Sequence, residues 1–479
     1  MHPTELQAHA GRDARTLTEA FEALRGGYAR DRAPDRAWRV DKLTALEHMV
    51  RNNVDALADA ISKDFGNRSR HETRLIEIFP SLEGIRYARR NVRKWMRPES
   101  RHASMWFRPG RASVVYQPLG VVGIIVPWNY PVFLGLGPMA AALAAGNRVM
   151  LKMSEHTPET SALFARLIAQ RFAPDEVAVI LGDAEVGKAF SGLPFDHLLF
   201  TGSTQIGRHV MVEAAAHLTP VTLELGGKSP AIVGPGYPIE HAATRIMSGK
   251  CLNAGPTCIA PDYALVPEGE VEAFVAAARR FVSAAYPDIL HTPDFSTIVN
   301  ERQFRRLVGY CEEATHKGAR VLPLAAGEPH WDLATRRFPP VALVGGNDSM
   351  HVMTQEIFGP ILPIVPYKTL DEAIAYVNAR PRPLALYYFD RDGARVDRVL
   401  RETVAGGVTV NDTILHIAQD DLPFGGVGPS GMGAYHGREG FETFSHKKAV
   451  FRQSRLNGMG LFKPPYGKLF ETMVKLLIR

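Results

Sequence analysis

The chain has 479 residues, 46% apolar and 22% charged, with a net charge of +6. That length exceeds one compact core, so two or three domains are expected, and the composition excludes large-scale disorder. The opening stretch carries no apolar segment of a secretory leader, and no run approaches the ~20 apolar residues of a membrane span. Three cysteines, Cys251, Cys258 and Cys311, suit a reducing compartment. A cytoplasmic location is therefore expected, without a disulfide framework or metal site. Arginines crowd the start (Arg12, Arg15, Arg25, Arg30, Arg32, Arg36, Arg39). Acidic residues and leucines are interleaved with them, which reads as a solvated helical surface and not as a nucleic-acid or membrane patch.

Residues 13–99 carry helix-period apolar spacing (Leu43, Leu46, Met49, Val50, Val54, Leu57) and predict a helical layer. Residues 102–119 hold two β-prone segments around Pro109-Gly110, the pattern of a hairpin. Strands are then expected at Val121 to Val126, Val149 to Lys152, Val177 to Leu181 and His197 to Phe200, separated by helix-prone stretches. The Thr157 hydroxyl should cap the helix opened by Pro158, and Ser203 the one running towards His217. This alternation predicts a parallel doubly wound sheet, which binds ligands at the C-terminal ends of its strands. Further α/β structure follows, with a helix near Val271 to Ala285 and strands near Ala264 to Val266 and Gly407 to Val410. The amphipathic C-terminal residues are too short to span a bilayer, and docking on the protein's own surface is expected.

Two motif matches carry no weight. Gly426 to Gly431 spells G-x-G-x-x-G, but it follows a Pro-Phe-Gly-Gly turn and not a strand. Asp64-Phe65-Gly66 spells the kinase triplet without the loops that give it meaning.

Four segments are informative together: Val126-Pro127-Trp128-Asn129-Tyr130-Pro131, Phe200-Thr201-Gly202-Ser203-Thr204-Gln205-Ile206-Gly207, Leu223-Glu224-Leu225-Gly226-Gly227-Lys228 and Asn253-Ala254-Gly255-Pro256-Thr257-Cys258. With Gln355-Glu356-Ile357-Phe358-Gly359-Pro360 and the 422–431 stretch, the sequence resembles the aldehyde dehydrogenase superfamily across nearly its whole length. The resemblance implies an α/β fold with a Rossmann-type cofactor domain, an α/β catalytic domain and a β-hairpin oligomerisation arm. The expected regions are 1–220 without 102–119 (helical layer and dinucleotide-binding domain), 221–420 (catalytic domain), and 102–119 with 421–479 (arm and C-terminal segment).

By the same resemblance Cys258 is the nucleophile, apt because a thiolate attacks carbonyls well. The oxyanion donors are the Asn129 side chain and the Cys258 N–H, and Glu224 is the general base that hydrolyses the thioester. The cofactor is NAD, with NADP possible. Lys152 and Glu155 would meet the adenosine ribose, Gly202, Ser203 and Gly207 the pyrophosphate at a helix start, and Trp128, Glu356 and Phe358 the nicotinamide side. Relatives that pass the acyl group to coenzyme A generally lack the base, so Glu224 favours the free acid. Pro256, where the family usually has glutamine, leaves a catalytically silent relative as the alternative. The stretch 428–447 is similar to the branch acting on aromatic and medium-chain aldehydes, closest to bacterial coniferyl aldehyde dehydrogenases. Members of that branch are typically homodimers.

Overall fold

In the computed structural model, which describes residues 3–326 and 331–478 (the side chains of 3–15 and 461 excepted), the N-terminal layer is helical as expected. The helix Arg36–Arg51 starts where Asp35 accepts the Trp38 N–H at 2.9 Å and buries Leu43, Leu46, Met49 and Val50. Helices Val54–Phe65 and Phe79–Trp95 add Leu57, Ile61, Ile85 and Val92 to the same core.

Sixteen strands form three sheets among the described residues. In the smallest sheet, β1 (Glu99–Arg101), β2 (Arg111–Pro118) and β16 (Ser445–Arg452) pair antiparallel. The hairpin thus begins before residue 102, and its connection holds a short 3₁₀ turn, Met105–Phe107. The partner across β2 comes from the far end of the chain, a long-range pairing invisible to local turn signals.

The second sheet contains β3 (Val121–Ile125), β4 (Arg148–Lys152), β5 (Val177–Ile180), β6 (His197–Thr201), β7 (Val221–Glu224) and β15 (Gly431–Met432). Its order is β15-β7-β6-β3-β4-β5, parallel except for β15. The chain winds outward from β3 to β5 and returns to the other side at β6, so the reversal lies between β3 and β6. The crevice beyond the carboxyl ends of those two strands is where such sheets hold ligands.

The third sheet contains β8 (Pro230–Val233), β9 (Tyr263–Pro267), β10 (Arg320–Pro323), β11 (Val341–Val344), β12 (Ile361–Tyr367), β13 (Ala385–Phe389) and β14 (Gly407–Val410), in the order β10-β11-β12-β9-β8-β13-β14. Residues 225–229 run from the end of β7 in one sheet to the start of β8 in the other. Glu224 therefore stands at the junction of the two sheets.

Two expectations are corrected. The Thr157 side chain makes no cap on the helix Pro158–Ala169. Asp64 instead accepts the N–H groups of Glu159 and Thr160 at 2.9 and 2.8 Å, so the acid of the discarded triplet does the capping from a neighbouring helix. The C-terminal helix Lys468–Leu477 buries no side chain, and Leu469 and Leu476 stay exposed. It is therefore not packed into the rest of the chain. No helix among the described residues is long and apolar enough to cross a membrane.

Candidate active site

A cleft of about 820 Å³ opens where β3, β4, β6 and β7 end. Its wall includes Trp128, Asn129, Lys152, Glu155, Gly202, Ser203, Glu224, Cys258, Glu356 and Phe358, residues drawn from six segments of the sequence. Gly207 lies outside it. Leu225 crowds that helical glycine so closely that a Cβ there would meet Leu225 Cδ2 at 2.6 Å. Gly207 lets the helix Thr204–Ala215 pack, and the cleft side of that helix begins at Ser203, whose Oγ accepts the Ile206 N–H at 3.4 Å.

Cys258 follows a strained turn. Asn253 and Ala254 both sit in the left-handed region at φ +55°, and Gly255 at +102°, a cost that persists only where surrounding contacts fix it. Those contacts are specific. The Pro256 carbonyl accepts from Asn129 Nδ2 at 3.1 Å and Asn253 Nδ2 at 3.3 Å, and the Thr257 N–H returns to the Gly255 carbonyl at 2.7 Å. The turn closes through the proline's neighbours, without needing the N–H that proline lacks.

Burial pushes the Cys258 thiol up to about 12, with Glu356 and Glu224 adding to it and the backbone N–H groups of Cys258 and Ile259 opposing it. Cys251 and Cys311 are raised as far. Exposure separates the three: Cys251 and Cys311 are buried, whereas Cys258 is part-exposed at the cleft.

Glu224 is 2% exposed and neither carboxylate oxygen has a hydrogen-bond partner. Burial alone raises its pKa well above that of an ordinary glutamate. Such a group is costly to keep for structure, since unpaired buried acids destabilise a fold. Glu356 lies directly over Gly226, where a Cβ would come within 2.0 Å of Oε2. Burial and then Asp262 raise Glu356 to about 8, against the Gly227 N–H, Lys228 and Arg306.

On the other wall, Trp128 meets the Phe358 ring edge-on at 5.4 Å between centroids. Lys152, 3% exposed, donates to its neighbour's carbonyl, Met153 O, at 2.8 Å and lies 3.5 Å from Glu155. Burial lowers the Lys152 pKa. Thr201 Oγ1 is buried without a partner in the same wall.

Sequence reasoning missed the groups that brace the site. Lys228 ties Asp262 to the carbonyls of Val352 and Gln355, at 2.8 and 3.1 Å for the last two, while Asp262 accepts the Ile357 N–H at 3.1 Å. Arg306 donates to the Ile357 carbonyl at 2.7 Å. These three hold the loop that carries Glu356 and Phe358. Lys228 lies within a quoted motif and Asp262 follows another by four residues, which was the available signal; Arg306 had none.

The profile of the Aldehyde dehydrogenase family matches residues 5–450. The chain belongs to the aldehyde dehydrogenase family. A Pseudomonas aeruginosa protein named "Probable coniferyl aldehyde dehydrogenase" is 55% identical over 97% of this chain and 96% of its own length. Among solved aldehyde dehydrogenase structures, the substrate-bound state of Staphylococcus aureus AldH superposes with a TM-score of 0.91 at 35% identity, covering 97% of this chain and 99% of the other. The Mycobacterium tuberculosis aldehyde dehydrogenase complexed with NAD+ gives 0.81 at 29% identity, covering 91% and 90%. The α/β fold expected from the motifs is therefore the fold of this family, and the enzyme oxidises aldehydes to acids.

Proposed function

We propose that this aldehyde dehydrogenase binds NAD in the cleft and carries the aldehyde carbon on Cys258 to a free carboxylic acid. The Cys258 sulfur attacks the carbonyl, and the thiol proton leaves through the solvated cleft. The Asn129 amide and the Cys258 N–H hold the oxyanion that forms. When bound, NAD supplies the hydride acceptor. Loss of hydride leaves a thioester on Cys258, and Glu224 takes a proton from the water that cleaves it, returning the thiol and releasing the acid. Asn129 Nδ2 spends one hydrogen on Pro256, which leaves the other for the substrate oxygen.

Residues in the wall fit the cofactor. The unpartnered Thr201 hydroxyl and the start of the helix at Ser203 offer polar atoms to an anionic ligand. Lys152 and Glu155 can hydrogen-bond ribose hydroxyls at the end of β4, and the Glu155 carboxylate would repel a 2′-phosphate, which favours NAD over NADP. Trp128, Phe358 and Glu356 bound the nicotinamide end. The expected Gly202 contact is through backbone. The substrate is an aromatic aldehyde of the coniferyl type, a choice supported by the relative at 55% identity. The exposed Met105, Trp106 and Phe107 at the tip of the β1–β2 hairpin support a homodimer arm, and the free cysteines a cytoplasmic location.

The observation that carries this reading is the partnerless Glu224 carboxyl in the same cleft as the part-exposed Cys258. Turnover of coniferyl aldehyde in heavy-oxygen water tests it. Solvent oxygen should enter the product acid, and an enzyme that requires coenzyme A before releasing product would overturn it.

A further inference from the structure

We infer that Arg68 is a positioning residue for Asn129, acting through the main chain that carries it. This rests on the oxyanion role proposed for Asn129. Arg68 and Glu77 form an ion pair at 2.7 Å with both side chains fully buried, beneath the strand-to-helix connection of residues 126–133. Arg68 Nη1 also donates to the Asn129 carbonyl at 2.9 Å. Glu77 Oε2 accepts the N–H groups of Val132 and Phe133 at 2.8 and 3.1 Å. The pair thus grips the main chain on both sides of the turn that aims the Asn129 amide.

The same anchor reaches the nucleophile's loop. Asn253 Nδ2 shares the Asn129 carbonyl at 3.1 Å, and the Asn253 N–H donates to Glu72 at 2.6 Å. The Arg68 guanidinium lies 4.7 Å from the centre of the Tyr130 ring, whose hydroxyl is 2.5 Å from Thr257 Oγ1, next to Cys258. Glu77 sits in a π-helical turn, Arg74–Ile78, a local irregularity frequent at functional sites. Two charges with no solvent are an expensive way to stabilise a fold. Here they join the turn of Asn129 to that of Cys258, and oxyanion stabilisation depends on that separation.

A double-mutant cycle tests this. Arg68→Lys keeps the charge, but its shorter side chain draws the donor back from the point where Nη1 alone serves both Glu77 and the Asn129 carbonyl. In the wild-type background it should lower kcat about tenfold or more, with cofactor affinity and the Cys258 alkylation rate unchanged. In an Asn129→Ala background it should lower kcat less than about twofold, because the group it positions is gone. Multiplying effects, or an undiminished kcat in Arg68→Lys, would overturn the inference. Full activity in Asn129→Ala alone would sink the oxyanion reading instead. If Arg68→Lys does not fold, Glu77→Gln enters the same cycle with the same two expected results.

Discussion

The side-chain amide of Asn129 donates to the carbonyl of Pro256 at 3.1 Å, two residues before Cys258. The turn before the proposed nucleophile and the turn carrying the proposed oxyanion donor are therefore one hydrogen-bonded unit. Pro256 contributes only its carbonyl, an atom every residue has. Pro256→Gln should keep kcat within about threefold, whereas Asn129→Ala should lower it by about 10²–10³, the usual loss for one oxyanion donor. Steady-state kinetics on the two variants checks both.

Glu224 gives a prediction with opposite signs for activity and stability. Its folded-state pKa lies above the unfolded value near 4.5. The folded protein thus holds this proton more tightly, and stability falls as pH rises from the unfolded value through the folded one. Glu224→Gln should raise Tm at neutral and alkaline pH, by roughly 1 °C per kcal/mol recovered for a chain of this length, and the gain should vanish in acid. The same variant should stall after one hydride transfer, with a burst of NADH and acyl-enzyme visible by mass spectrometry. Wild-type deacylation should weaken as pH falls, because only the carboxylate accepts a proton.

Much of this site was legible because the family motifs concentrate residues that tight geometry demands. Gly226 under Glu356 and the Asn253–Gly255 turn are positions few other sequences could fill. The positions of β3, β4, β5 and β6 followed from apolar runs alternating with helix-prone stretches. The partners that act across the fold were not legible. Asp64 caps a helix 94 residues later, and nothing local marks it. Nothing in the sequence singles out Arg68 or Glu77, and only the packing of the helical layer against residues 129–133 gives them a purpose. Pairing of β2 with β16 likewise joins distant segments by register alone.

The thiols should divide sharply. All three cysteines are held near 12 by burial, but only Cys258 is reachable. Iodoacetamide should label one peptide, at a rate still climbing at about pH 10 as thiolate forms. Rapid labelling of Cys251 or Cys311 in folded enzyme would contradict the assignment.

Glu155 is partly exposed at the end of β4, beside Lys152. Glu155→Gln removes a negative charge from the position proposed for the ribose and keeps a hydrogen-bonding group. The ratio of kcat/KM for NADP to that for NAD should rise about tenfold, read from initial rates with each cofactor.

Trp106 is 57% exposed on the hairpin connection, flanked by Met105 and Phe107. The proposed homodimer arm predicts that wild type sediments as a dimer and Trp106→Asp as a monomer, since a charge at an apolar contact is left without a partner.

The central claim is that Cys258 carries the aldehyde carbon. NADH formation with coniferyl aldehyde, compared between wild type and Cys258→Ala, tests it most directly. Wild type should turn over with NAD, and the variant should fall to background while still binding NAD. NADH formation by the variant at anything near the wild-type rate would contradict the account.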